Sequence, residues 1–245
     1  MRPNFLNTKM KKMLRKWALL SVMAITLPAA TFAQDKVEAE VGADLVSKAI
    51  WRGQDLGGVS VQPSLTVSYK GLSLNVWGSV GFESEDAKEI DLTLAYEVGG
   101  LNLSVTDYWV AYKGDGAKYF KYGARSTAHV FEAHIGYDFG PIALDWYTNF
   151  AGCDGVNKDE KRAYSSYMTA IVPFNLGGLE WEAEVGATPW ATDYYEGVNG
   201  FAVCDLSLTA SKEITVTESF SIPAFAKLTF NPPADNAYFT FGLSF

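Results

Sequence analysis

The segment Ala237-Tyr238-Phe239-Thr240-Phe241-Gly242-Leu243-Ser244-Phe245 alternates without a break. Strand side chains point to opposite faces with period two. Ala237, Phe239, Phe241, Leu243 and Phe245 therefore share one face of an extended chain, and Tyr238, Thr240, Gly242 and Ser244 share the other. One face is greasy; the other is small, polar and uncharged. An open strand edge of this composition invites aggregation in water. Two placements relieve it. One is the closing strand of a soluble sandwich or barrel. The other is a closed barrel in lipid, in which the edge pairs with the first strand and the apolar face meets acyl chains.

The same alternation recurs along the chain. Val37, Ala39, Val41 and Ala43 oppose Glu38, Glu40, Gly42 and Asp44. Ile90, Leu92, Leu94, Tyr96 and Val98 oppose Asp91, Thr93, Ala95 and Glu97. Phe131, Ala133, Ile135, Tyr137 and Phe139 oppose Glu132, His134, Gly136 and Asp138, and Leu179, Trp181, Ala183, Val185 and Ala187 oppose Glu180, Glu182 and Glu184. About twelve such runs of roughly ten residues follow one another, the length a tilted strand needs to cross a bilayer. The phase slips near Asp107, as at a bulge, and the link around Lys212-Glu213-Ile214 has blurred boundaries.

The links alternate as well. Tight turns at Lys70-Gly71, Gly99-Gly100, Gly140-Pro141 and Gly177-Gly178 separate longer polar links over 53–59, 83–88, 113–127, 152–162 and 191–200. Short turns on one side and long loops on the other are the asymmetry of a membrane barrel. Trp51, Tyr108, Trp109, Tyr112, Trp190, Tyr194 and Tyr195 fall near long-link ends, and Tyr69, Tyr96, Tyr137 and Phe139 near short turns. This distribution predicts two interfacial aromatic girdles.

Arg2, Lys9, Lys11, Lys12, Arg15 and Lys16 form an acid-free leader before an apolar run over 17–30, and Thr31-Phe32-Ala33 offers small residues at a cleavage site. This is the three-part secretory signal, predicting a signal peptide over 1–33 and a barrel over 34–245. Loss of those six basic residues leaves 14 basic against 28 acidic residues, net −14, from a whole chain of 20 against 28. A polyanion of that size does not suit nucleic acid, which needs Lys and Arg clusters. Composition alone also fits a lipocalin-like soluble barrel; the signal, the terminal Phe and the loop asymmetry favour the membrane.

Phe241, Leu243 and Phe245 give the last run a resemblance to the C-terminal strand of bacterial outer-membrane β-barrels. That resemblance implies an assembly signal read by the barrel-assembly machinery. Ser47-Lys48-Ala49-Ile50-Trp51-Arg52-Gly53-Gln54, with Gln62-Pro63, Val76-Trp77-Gly78-Ser79 and Glu89-Ile90-Asp91, is similar to the N-terminal half of the TorF family of porins. This second resemblance covers the first third of the mature chain. It implies an outer-membrane barrel of a Gram-negative bacterium assigned loosely to transport, with no substrate and no catalytic motif to carry over.

The fold expected is thus all-β, a transmembrane antiparallel up-and-down barrel of about twelve strands. Its inward faces hold Glu38, Glu40, Asp44, Asp91, Glu97, Glu132, Asp138, Asp145, Glu180, Glu182, Glu184 and Asp205 against Lys70, His134, Lys227 and Arg52. Charge at mid-membrane must face a lumen, and an acidic lumen favours cations by its field. The leading expectation is a porin or channel for passive passage of small solutes, biased to cations. The alternative is a closed barrel with a structural or surface-contact role, its acids paired with Lys and Arg. A third is a barrel hydrolase built on His134 with Glu132 on the same face, but no Gly-x-Ser-x-Gly is present and nothing in the sequence places a Ser beside it. The chain is therefore read as not an enzyme. Two His without ligand-spaced partners predict no metal site and no cofactor. Cys153 and Cys204 allow one disulfide in an oxidising compartment, with strands between them obstructing reach. Lys113, Lys118, Lys121, Arg125, Lys158, Lys161 and Arg162 in the long links suit contact with anionic lipopolysaccharide or ordinary solvation.

Overall fold

A computed structural model describes residues 36–124, 126–218 and 220–245; the leader expected over 1–33 lies outside the described residues. None of these residues is helical. In chain order the strands are β1 (Glu38–Val46), β2 (Ala49–Trp51), β3 (Gln54–Gly57), β4 (Ser60–Tyr69), β5 (Leu72–Gly81), β6 (Lys88–Val98) and β7 (Leu101–Ala111). They continue as β8 (His129–Asp138), β9 (Ala143–Gly152), β10 (Ser166–Leu176), β11 (Leu179–Thr188), β12 (Ala202–Thr217), β13 (Phe220–Asn231) and β14 (Asn236–Ser244). β1 and β4 to β14 close into one barrel with antiparallel neighbours, while β2 and β3 pair only with each other.

Burial runs opposite to that of a soluble protein. Leu74, Leu94, Ile135, Val185, Phe239 and Phe241 are exposed on the outer wall, whereas Glu132, Asn149, Asp205 and Thr229 are buried inside it. Alternation sends every second side chain outward, and those positions carry the aliphatic and aromatic residues. Hydrocarbon is the solvent this wall fits, and the barrel is a transmembrane one. A closed ladder also satisfies most of the strands' backbone groups, as a bilayer requires.

The short turns follow from chirality. Lys70 and Gly71 have φ of 50° and 83°, and Gly99 and Gly100 have 58° and 95°. Two consecutive left-handed residues match the twist of a two-residue hairpin. Among the long links, Asp86 ties two together: its carboxylate accepts the Gly58 N–H and the Glu83 N–H, both at 3.0 Å. Those two amides hold the Asp86 carboxyl below its ordinary range.

The barrel closes through a brief seam. β1 pairs with β4 over nine positions, from Glu38↔Ser68 to Val46↔Ser60. Its other edge meets β14 at Asp44↔Ser244, Leu45↔Leu243 and Val46↔Gly242. Ala43 and Phe245 exchange both backbone hydrogen bonds, at 3.0 and 2.9 Å. Above them the Ser47 N–H donates to the Phe241 carbonyl at 2.9 Å, and the Phe241 N–H donates to Ser47 Oγ at 3.0 Å. Gly242 belongs to the inner face, where the Phe225 ring occupies the space a side chain would need.

Three local expectations are corrected. No slip occurs in β7, whose ladder with β6 runs unbroken from Leu101 to Ala111 and whose ladder with β8 is also continuous; the bulge lies in the β8–β9 pair, between Phe131 and Glu132. Asp107 keeps its outward phase, and His129 meets it there with Nδ1 at 2.7 Å from its carboxylate. The link after β7 folds over this pair, and His129 Nε2 donates to the Tyr119 carbonyl at 2.6 Å. The residues around Lys212-Glu213-Ile214 are strand, since β12 pairs with β13 out to Thr217. The polar link over 53–59 is not wholly an outer loop: Gln54–Gly57 forms β3, and the β2–β3 hairpin turns into the barrel.

Truncation after Thr240 removes every pair between β1 and β14. The heat-resistant folded band on SDS gels is expected to fall to background after refolding, while Phe245→Ala, which keeps the backbone pair with Ala43, retains it.

Candidate lumenal site

The β2–β3 hairpin reverses at Arg52 and Gly53, with φ of 49° and 76°. Glycine is required at the second position, because a Cβ there would strike the Cys204 carbonyl. The Gly53 carbonyl accepts Asn231 Nδ2 at 3.0 Å, which docks the tip on β13. Docking aims Arg52 across the lumen. Its NH1 and NH2 reach Glu132 Oε2 and Oε1 on β8 at 2.6 and 2.9 Å, a two-pronged ion pair. Such fork-to-carboxylate geometry is among the strongest side-chain contacts. NH1 also donates to the Tyr195 hydroxyl at 2.9 Å, and the Tyr108 hydroxyl donates to Glu132 at 2.9 Å. The guanidinium lies against the Trp51, Tyr147 and Tyr167 rings, at 4.3, 4.2 and 4.7 Å from their centroids. Side-chain exposures of 8% for Arg52 and 2% for Glu132 make this a desolvated pair.

The link between β11 and β12 completes the pin. Tyr195 enters the barrel from that link and stacks on Tyr167 and Trp51 at 5.9 and 6.2 Å between centroids. The Glu196 N–H donates to Gln54 Oε1 at 3.2 Å. Trp51, Tyr108, Tyr194 and Tyr195 therefore belong to the lumen and its plug, a correction to the girdle expected of them. Burial of their rings around Arg52 outweighs an interfacial position.

The hairpin divides the interior. Towards β10–β13 lies a cavity of about 520 Å³, and towards β4–β7 one of about 660 Å³. Trp51, Arg52, Gln62 and Tyr147 line both. The larger reaches from Gly71 and Gly99, in the short turns, to Leu56 and Ala87 at the long-link end.

Most of the acids read from the sequence meet here. Glu180, Glu182, Glu184, Asp205 and Lys227 line the smaller cavity with Asp44. Lys227 Nζ pairs with Glu184 at 3.1 Å, and Asp205 accepts from the Ser207 hydroxyl. Of the three glutamates of β11, Glu184 is thus the one paired with Lys227 across β12. Asp91, Glu97, His134 and Asp145 line the larger cavity, together with Glu89. Glu38, Glu40 and Asp138 line neither. Glu38 is exposed at the start of β1, and Asp138 accepts the Gly140 N–H at 2.7 Å, serving the β8–β9 turn.

His134 finds a different partner from the one its phase suggested. Glu132 is held by Arg52, and His134 Nε2 lies 2.8 Å from Asp145 Oδ1 on β9. Ser104 Oγ is 3.3 Å from Nδ1, and the ring stacks on Tyr147 at 4.3 Å. The Ser104 contact follows from the register of β7 against β8 across a long link, which alternation alone does not report. Arg52 was foreseen as inward but not as the pin; its signal is an Arg-Gly pair after an aromatic in a nominal loop. Cys153 and Cys204 are both free thiols, the first exposed and the second buried beneath the hairpin tip. Among the described residues no cluster of three or more His, Cys, Asp or Glu is placed to hold a metal.

No protein-family model matches the chain, and no curated protein does either. Among solved structures the chain is similar to CdiB from Acinetobacter baumannii, with 12% identity over 86% of this chain and a TM-score of 0.41. It spans 59% of CdiB's length. It is also similar to a double variant of OccD1 (OprD), with 12% identity over 91% of this chain and 72% of that one, and a TM-score of 0.37. Salmonella typhi OmpF in complex with daunomycin gives 9% identity over 86% of this chain and 98% of that one, and a TM-score of 0.35. The barrel assignment stands on the strand pairing itself.

Breaking the pin from one side leaves a buried charge alone, which costs about 3–5 kcal/mol in known cases. Arg52→Met is expected to lower stability by that order in urea unfolding followed by tryptophan fluorescence. Arg52→Met with Glu132→Leu is expected to recover part of the loss.

Proposed function

We propose that this chain is a channel of a Gram-negative outer membrane, passing small solutes with a bias to cations. The observation that carries the reading is the divided lumen: two cavities, in each of which carboxylates outnumber Lys and Arg, flank a fixed hairpin, and the larger runs between turn end and loop end of the barrel. Fields inside a low-dielectric wall are focused, so an excess of fixed negative charge enriches cations and repels anions. The secretory leader, the exposed apolar wall and the resemblance to TorF porins support the outer-membrane location. The same location supplies the remaining partners proposed: membrane lipids, lipopolysaccharide phosphates for the basic links, and the barrel-assembly machinery for Phe241, Leu243 and Phe245.

The Arg52–Glu132 pin favours a second reading. A hairpin held by a buried ion pair and aromatic stacking narrows the interior and suits a closed, architectural barrel. The hydrolase reading is weaker. Ser104, His134 and Asp145 are in line, but the strand ladders of β6, β7 and β8 engage the backbone around Ser104, leaving no pair of amides aimed at an oxyanion.

Planar-bilayer recording on refolded protein separates the first two readings. In a potassium chloride gradient the reversal potential is expected on the cation side, and Glu89→Gln with Asp91→Asn is expected to move it towards zero. Arg52→Ala is expected to raise unit conductance by freeing the hairpin. Silence of the native protein and of Arg52→Ala alike decides for the closed barrel.

A further inference from the structure

Across the β5–β6–β7 wall, three inward side chains stand in one row. Asp91 is paired in register with Trp77 on one side and with Tyr108 on the other. Directly opposed strand residues have Cβ atoms about 4.5–5.5 Å apart, so a carboxylate is flanked on both sides by aromatic rings. Glu89 lies two residues away on the same face, and all four line the 660 Å³ cavity. The Trp51 ring meets Tyr108 edge-on at 5.9 Å and walls the row from the hairpin.

Asp91 is 7% exposed, and its Oδ1 accepts no hydrogen bond from the protein. A buried carboxylate oxygen left without a donor is costly, and Asp91 is part of the wall of a cavity large enough for a small organic molecule. Among the described residues lining that cavity, Arg52 is the one Lys or Arg, and it is committed to Glu132.

The pin shows how this lumen holds a cation. Arg52 is bound by a carboxylate and by three ring faces within 4.7 Å. Glu89 and Asp91, with the Trp77 and Tyr108 rings beside them, offer the same kinds of group to a cation the chain does not itself supply. An anion would meet two carboxylates. A bare metal ion would want several oxygens converging, and no such cluster exists among the described residues. Ring faces beside a carboxylate favour an ammonium group on an apolar body.

We propose that this row is a binding site for organic ammonium ions carrying an aromatic or aliphatic body. The inference deepens the channel reading and rests on it for the route by which such a solute reaches the cavity.

The test uses the full mature barrel, refolded in detergent, with benzyltrimethylammonium as probe and benzoate and potassium as comparators, read by calorimetry. Saturable binding of benzyltrimethylammonium alone is expected. Asp91→Asn and, separately, Trp77→Leu are each expected to weaken it by about tenfold, the scale of one desolvated cation–π or charge contact. Heat-resistant mobility on SDS gels certifies that each variant is folded, and two chemically different variants guard against the loss of either. Equal binding of benzoate, competition by potassium at equal concentration, or undiminished affinity in both folded variants overturns the site. Calorimetry needs no current. A barrel that conducts without saturable binding therefore loses the site and keeps the channel, while one that binds the probe but never conducts loses the channel.

Discussion

In hydrocarbon an amide that lacks a partner has no water to turn to, and the closed hydrogen-bond ladder answers that constraint. Everything else in this barrel is conditioned by it. Closure through Ala43–Phe245 and the three register pairs above them leaves no full edge strand, and it fixes which face of every strand is inside. Once the faces are fixed, alternation sends leucines, valines and phenylalanines to the lipid and carboxylates to the interior. The seam is the thinnest part of this arrangement, because β14 ends at Ser244, opposite Asp44, while β1 begins six residues earlier, at Glu38.

An inward-facing surplus of carboxylates sets the second problem. Two solutions are visible, and they differ in kind. Around Glu184 and Glu132 the chain provides its own cations, Lys227 from the wall and Arg52 from the hairpin. At Glu89 and Asp91 it provides aromatic rings and space. The outer wall shows a third case. Asp107, out of place on the lipid side, is matched by His129 and covered by the link that carries Tyr119 and Tyr122. A short polar error in an alternating pattern is thus tolerated where a loop can reach it.

These cases mark where the sequence is legible. Period-two alternation reports a strand's two faces with no knowledge of neighbours, so the strands, their lumenal acids and the glycine turns can be read directly. Contacts that depend on which strands become adjacent cannot. Ser104 beside His134, and Tyr108 beside Asp91, are consequences of register, and register is set by the whole ladder. The β2–β3 hairpin is harder still. Its residues carry turn chemistry like any loop, and nothing local tells whether Arg52-Gly53 points out to water or in to Glu132. Only the partner decides: the Cys204 carbonyl demands a glycine at 53, and Glu132 gives the guanidinium somewhere to go.

The hairpin therefore has two roles that pull against each other. It obstructs the middle of the lumen, yet by standing there it divides one wide interior into two narrower cavities, each with its own charge balance. A twelve-stranded barrel lies between small barrels filled by side chains and large ones enclosing water. A partition gives such a barrel walls close enough for rings and carboxylates to act on a single solute. In the proposed channel, selectivity would then come from contact as well as from field, since a solute beside the hairpin would meet both the hairpin and the wall. Trp51 illustrates the economy: it packs on Arg52 with one part of its surface and walls the Asp91 row with another. The residue that helps to hold the plug in place also shapes the space the plug leaves open.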